Sequence, residues 1–162
     1  MAVLVLAAGC SSSGPKNTDL FTGDWTFSQG TFTAVCPAGT LPNSLVGQTI
    51  TLTKGTSADL TSTLHTSYGD CTLQLSVDGT VATANPNQTC NLNVTVAGTS
   101  LPVTLALTSW KLTSGSAGGV ATLTTAATGT ANSSASVLVS NCSVTVDGVA
   151  SKTGGGPDAS AG

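Results

Sequence analysis

The chain has 162 residues, of which only 7% are charged and 4% aromatic, and its formal net charge is -3. Every base is Lys and every acid is Asp, and four scattered Lys cannot build the basic stripe that phosphate backbones require, so nucleic acid is excluded as a partner. No later segment reaches the roughly 20 consecutive apolar residues of a spanning helix, and the abundance of Thr and Val, which suit a pleated surface, points to an all-β chain.

The first ten residues read MAVLVLAAGC: an apolar run from Val3 to Leu6, small residues, then Cys10. Leu6-Ala7-Ala8-Gly9-Cys10 resembles the lipobox of bacterial lipoproteins. The resemblance implies that residues 1–9 are a signal-peptide remnant, that the Cys10 thiolate carries lipid, and that Cys10 becomes the mature N-terminus. Two features depart from the family pattern. Ala7 stands where Leu is usual, and no Lys or Arg precedes the apolar run, so the true start is expected further upstream.

Residues 10–20 then form the lipidated Cys and a flexible tether, Ser11-Ser12-Ser13-Gly14-Pro15. Ser11, rather than Asp, follows the cysteine, which by the family's sorting rule implies the outer membrane. The expected membrane partner is reached through palmitate-type acyl chains on Cys10, each buried CH₂ contributing about 0.8 kcal/mol. In composition, lipobox and spaced cysteines the chain is similar to small Thr/Gly-rich lipoproteins of the myxobacterial type, a likeness that implies no activity.

The expected β domain covers residues 21–150. Gly23 to Val35 reads as a long strand in which Trp25 and Phe27 share a face and Phe32 and Ala34 continue at opposite parity, with a bulge at Gln29-Gly30. Gly47 to Thr53 and Ala58 to Thr66 alternate next, through Ile50 and Leu52 and then Leu60 and Leu64. Cys71 to Ala84 reads as a hairpin turned by Asp78-Gly79 in a type I′ turn. Asn85-Pro86-Asn87 breaks the chain, and Cys90 to Val96 resumes it. In Leu101 to Thr113, Val103, Leu105 and Leu107 alternate while Trp110 and Leu112 fall out of phase. Gly119 to Thr130 and Val137 to Val149 close the series, and residues 151–162 read as a disordered tail.

Eight or nine strands at regular spacing predict an antiparallel, barrel-like meander, with a two-sheet β-sandwich as the alternative. Setting Cys10 aside leaves Cys36, Cys71, Cys90 and Cys142, an even number that reads as two disulfides in an exported chain. In a closed meander the first and last strands are neighbours, which favours Cys36-Cys142, with Cys71-Cys90 stapling the hairpin; the other two connectivities stay open. No pair has CxxC spacing.

Gly23-Asp24-Trp25 resembles the G-x-W signature of lipocalin-type barrels, which implies a Trp plugging one barrel end and an apolar ligand site. The family's basic residue over that Trp has no Arg to fill it, and Lys152 falls in the expected tail. His65, the single histidine, alternates opposite Leu64 and is expected to face solvent. Asp70, Asp78 and Asp147 sit beside turns. No Ser lies in a G-x-S-x-G elbow. No catalytic, cofactor or metal residue is assigned, and no enzyme is expected. The leading expectation is a non-catalytic envelope lipoprotein displaying a disulfide-stapled β domain in a structural or surface-interaction role. The alternative is a lipocalin-like carrier of a small apolar ligand, which requires an internal cavity of several hundred Å³.

Overall fold

A computed structural model describes residues 16–96 and 98–153; Cys10, Ser11 to Pro15 and the tail beyond Thr153 lie outside the described residues. The strands are β1 (Gly23–Cys36), β2 (Gly39–Ser44), β3 (Thr49–Lys54), β4 (Leu60–Thr66), β5 (Gly69–Asp78), β6 (Val81–Ala84), β7 (Thr89–Val96), β8 (Thr99–Ala117), β9 (Val120–Asn132) and β10 (Cys142–Lys152). A 3₁₀ turn, Thr18–Leu20, precedes β1, and a second, Val137–Val139, lies between β9 and β10. All strand pairs are antiparallel, and eight strands close a ring in the order β1, β10, β9, β8, β6, β5, β4, β3, with β2 and β7 outside it. The protein is therefore a barrel and not a sandwich.

The two outer strands continue ring strands. β2 and β3 both run antiparallel to β1, pairing Thr31 with Ser44 and then Thr26 with Thr49. They form one wall strand interrupted at residues 45–48, where Gly47 takes a φ of 82°. β6 and β7 both run antiparallel to β8 and are interrupted at residues 85–88, where Asn87 takes a φ of 61°. The break expected at Asn85-Pro86-Asn87 is thus present. At the two interruptions the carbonyls of Gln48 and Gln88 accept from the amides of Phe27 and Leu107, so the chain rejoins its neighbour in register.

Alternation decides what fills the barrel. Cys71, Leu73, Leu75 and Val77 of β5 point inward, as do Leu123, Thr125 and Ala127 of β9. Both phase changes in the sequence are bulges. The β1–β10 register shifts between Phe27 and Gln29, and the β8–β9 register shifts between Leu107 and Ser109. Each adds one residue to a strand, so Phe27 and Phe32, and Leu107 and Trp110, can all turn inward.

The closed half of the barrel is solid. Phe21, Trp25, Phe27, Ile50, Leu52, Leu60, Leu73, Leu75, Leu112 and Leu123 are fully or almost fully buried there. Trp25 donates its indole N–H to the Phe21 carbonyl at 2.7 Å, and the Lys152 ammonium lies 5.7 Å from the Trp25 ring centre. Lys152 is not in a tail: β10 continues through it and pairs it with Trp25. Gly23 adopts a φ of +124°, and a Cβ there would meet Lys152 Cε at 2.9 Å. The glycine two residues before the Trp thus makes room for the base that covers it.

Other expectations are corrected. The hairpin between β5 and β6 turns at Gly79-Thr80, because Asp78 pairs with Val81. Only Gly79 has a positive φ there, the pattern of a II′ turn and not I′. The start of the expected last strand, Val137 to Val139, is a 3₁₀ turn in which the Leu138 amide donates to the Ser136 hydroxyl. The 3₁₀ turn Thr18–Leu20 ends the tether before residue 20.

Two ion pairs fasten the segment before β1 to the closed end: Lys16 to Asp59 at 2.7 Å and Lys54 to Asp19 at 2.8 Å. Asp59 is the more sheltered acid, with 18% of its side chain exposed, and also accepts from the Val77 amide at 2.9 Å. The Lys16 ammonium, and then the Val77 amide, hold its carboxyl below the ordinary value of 3.8. A folded-state value below the unfolded one stabilises the fold above the unfolded value, and that contribution fades as pH falls through the folded one. Asp59→Asn is therefore expected to cost about 1 kcal/mol at neutral pH. In strong acid, where both proteins carry a neutral side chain, the difference should vanish. Urea denaturation at the two pH values checks this; an equal loss at both would contradict it.

Candidate functional site

The opposite half of the barrel is hollow. A partly open cavity of about 370 Å³ lies there, walled by the far halves of β1, β8 and β10, by β2 and β7, and by the tip of the β4–β5 hairpin. Its lining is mainly apolar and includes Leu64, Leu92, Val103, Leu105, Leu107 and Val146. Among the described residues no charged side chain lines it.

The hollow has a structural cause. Among the inward positions here, Ala34, Ala131, Val103, Cys36, Cys71 and Cys142 carry small side chains beside the larger Leu64, Leu92, Leu105 and Trp110. The Ser62 and Thr125 hydroxyls in the core, and two atoms in the cavity wall, are buried without a hydrogen-bond partner among the described residues. The latter two, Trp110 Nε1 and Gln48 Oε1, belong to residues that line the cavity but are themselves sealed from it. The Gln48 side-chain nitrogen is engaged, donating to the Ser44 carbonyl at 3.0 Å.

The cysteines frame this half. The register that pairs Val35 with Ser143 puts Cys36 opposite Cys142, and the two are bonded. Cys71 of β5 is bonded to Cys90 of β7. No ladder joins β5 to β7 among the described residues, and other contacts replace it. The Asn93 amide donates to the Tyr68 carbonyl at 2.8 Å. The Gln88 side chain accepts from the Gln74 amide at 2.6 Å and donates to the Gln74 carbonyl at 2.8 Å. No ladder joins β2 to β4 either, so the seam beside Leu41, Pro42, Thr66 and Tyr68 is a wall without strand hydrogen bonds.

A second constellation lies on the outer face. His65 and Asp70 are a cross-strand pair with Nδ1 and Oδ1 3.0 Å apart, and His65 Nε2 lies 3.4 Å from the Thr51 hydroxyl. The Thr51 hydroxyl donates to Asp24 at 2.7 Å, so its proton is directed away from the imidazole. His65 is half exposed and Asp70 more so, and the four residues form a row across β1, β3, β4 and β5 in water. Such a row is the polar pairing of a solvated sheet face. Among the described residues no group of three His, Cys, Asp or Glu stands close enough to hold a metal.

Sequence reasoning placed Trp25, His65 and the cysteines but not the cavity wall as a site. Trp110 had a signal, its shift of phase from Leu107. Leu41 and Pro42 had none, since β2 is an exposed outer strand carrying a proline. No family model, curated protein or solved structure matches the chain.

Proposed function

We propose that the protein is a lipid-anchored carrier of a small apolar ligand, held in the hollow half of its barrel. The carrying observation is the cavity: about 370 Å³, largely apolar and partly open to solvent. Ligand sites are concave, mostly apolar and furnished with a few polar groups, and this cavity has those features. A protein with only a structural or display role gains nothing from a barrel half filled and half empty, because unfilled apolar space forfeits packing. The envelope-lipoprotein reading supplies the setting: acyl chains on Cys10 would hold the domain at a membrane, where apolar molecules concentrate.

Two measurements test the two parts. The neutral fluorophore N-phenyl-1-naphthylamine should bind saturably to the full chain with a dissociation constant on the order of 10–100 μM. Ala131→Phe, which fills the cavity, should weaken that binding about tenfold or more while leaving the circular dichroism unchanged. Non-saturating fluorescence, or identical binding in the filled variant, would remove the carrier. Separately, labelled palmitate should be incorporated by cells producing the protein and lost in Cys10→Ala; labelling that persists would remove the anchor.

A further inference from the structure

The polar groups that the cavity offers to a ligand are gathered at the seam. Gln48 and Trp110 line the cavity, but their unpaired atoms are sealed from it. The Thr66 hydroxyl is engaged, donating to the Gly69 carbonyl at 2.7 Å and accepting from the Tyr68 amide at 3.1 Å. On β7 Val94 packs against the core, which turns its neighbour Thr95 outward. Asn43 and Tyr68 remain. Asn43 is the ladder partner of Phe32, whose ring packs against the core, so its amide shares the inward face of β2 with Leu41. Tyr68, at the β4–β5 tip, packs against the same core. Neither side chain has a hydrogen-bond partner among the described residues, and neither has its polar atoms sealed off. The two stand on opposite sides of the seam, where no strand ladder crosses. β2 pairs with β1 alone, so its other edge turns backbone amides and carbonyls toward the same gap. No residue from Trp25 to Thr53 is charged.

One-sided polarity selects a ligand with two ends. The walls away from the seam present Val103, Leu105, Leu107, Ala131 and Val146, which suit hydrocarbon. A carboxylate or ammonium would enter without a counter-ion, which is costly. A pure hydrocarbon would use none of the seam's donors and acceptors. Hydroxyls both donate and accept, so a head carrying several can meet an amide, a phenol and a strand edge together. We propose that the cavity takes a single-chain amphiphile with an uncharged polyol head. The head lies in the seam against Asn43, Tyr68 and the free edge of β2, and the chain lies along Leu64, Leu92, Val103, Leu105 and Leu107. The seam keeps the head in contact with water while the barrel covers the chain. This assignment rests on the carrier reading, and the experiment separates the two.

The probes share one chain length: 1-octanoylglycerol, methyl octanoate, which has the same ester without hydroxyls, octanoate and octyltrimethylammonium. Each competes with N-phenyl-1-naphthylamine for the full chain, below its micelle concentration. Octanoylglycerol is expected to displace at about fivefold lower concentration than methyl octanoate, although the methyl ester is the more apolar. Both ions should compete more weakly than either. Asn43→Leu should weaken octanoylglycerol by about fivefold and leave the methyl ester unchanged. Tyr68→Phe, which removes one hydroxyl, should act in the same direction. A wild-type protein that ranks an ion first, or fails to rank octanoylglycerol ahead of the methyl ester, overturns the polyol assignment while leaving the carrier intact. So does a preference that survives undiminished in both variants. A protein that fails to bind the fluorophore at all overturns both. Should Asn43→Leu lose its fold by circular dichroism, the ratio of the two esters in Tyr68→Phe decides.

Discussion

Replacing Cys36 and Cys142 together by Ser is expected to lower the unfolding free energy by about 5 kcal/mol. The bridge closes a loop with a sequence separation of 106 residues, and cross-linking so long a segment removes a large share of the unfolded chain's entropy. A loss of that size is comparable to the whole stability of many domains, so the variant should be largely unfolded or melt far below the parent. The position adds to the effect, because the bridge ties the first strand to the last at the seam that closes the ring. The Cys71/Cys90 double Ser variant spans only 19 residues and should lose about 3 kcal/mol. Its damage should fall first on β7, which has no ladder to β5. Urea denaturation followed by circular dichroism orders the two; a Cys36/Cys142 variant within about 1 kcal/mol of the parent would contradict the entropic account.

Trp25→Ala should cost about 3–5 kcal/mol, the range for removing a large buried aromatic. Three contacts go with the ring: the packing against Phe21 and Phe27, the hydrogen bond to the Phe21 carbonyl, and the platform under Lys152. Trp25→Phe keeps most of the volume but leaves the buried Phe21 carbonyl without its donor, a cost of about 1–3 kcal/mol. The order Ala worse than Phe, both worse than Lys152→Met, distinguishes a plug from a decoration. Thermal melts of the three variants suffice. Since the cavity occupies the other half of the barrel, Trp25→Phe should bind the neutral fluorophore as the parent does.

Much of the wall was legible because it is local. A strand whose one face is buried alternates with period two, and residues 71–77 and 103–107 carry that alternation whatever surrounds them. A bulge is legible for the same reason, as a slip in the period between Phe27 and Phe32 and between Leu107 and Trp110. β2 was not legible. It pairs on one side only, exposes most of its residues and carries Pro42, so neither alternation nor β-propensity marks it. The turn at Gly79-Thr80 slipped by one residue from the dipeptide that advertised it, because Asp78 takes a ladder position opposite Val81 and leaves the two-residue loop to Gly79 and Thr80. Lys152 was lost to a Gly- and Ser-rich neighbourhood, although its partner, Trp25, holds it in β10.

By itself, then, the order of residues determined that the chain is all-β, that its strands follow one another as an antiparallel meander, and where two of them change phase. Those properties depend on each residue and its near neighbours. Only the tertiary structure decided that the ring closes through β1 and β10, and that one half is packed and the other hollow. A void is the difference between the space a ring of strands encloses and the volume of the side chains pointing into it. No single residue carries that difference. It arises when Ala34, Ala131 and Val103, far apart in the chain, come together at one end of a barrel whose other half is filled by Trp25, Phe21 and Phe27.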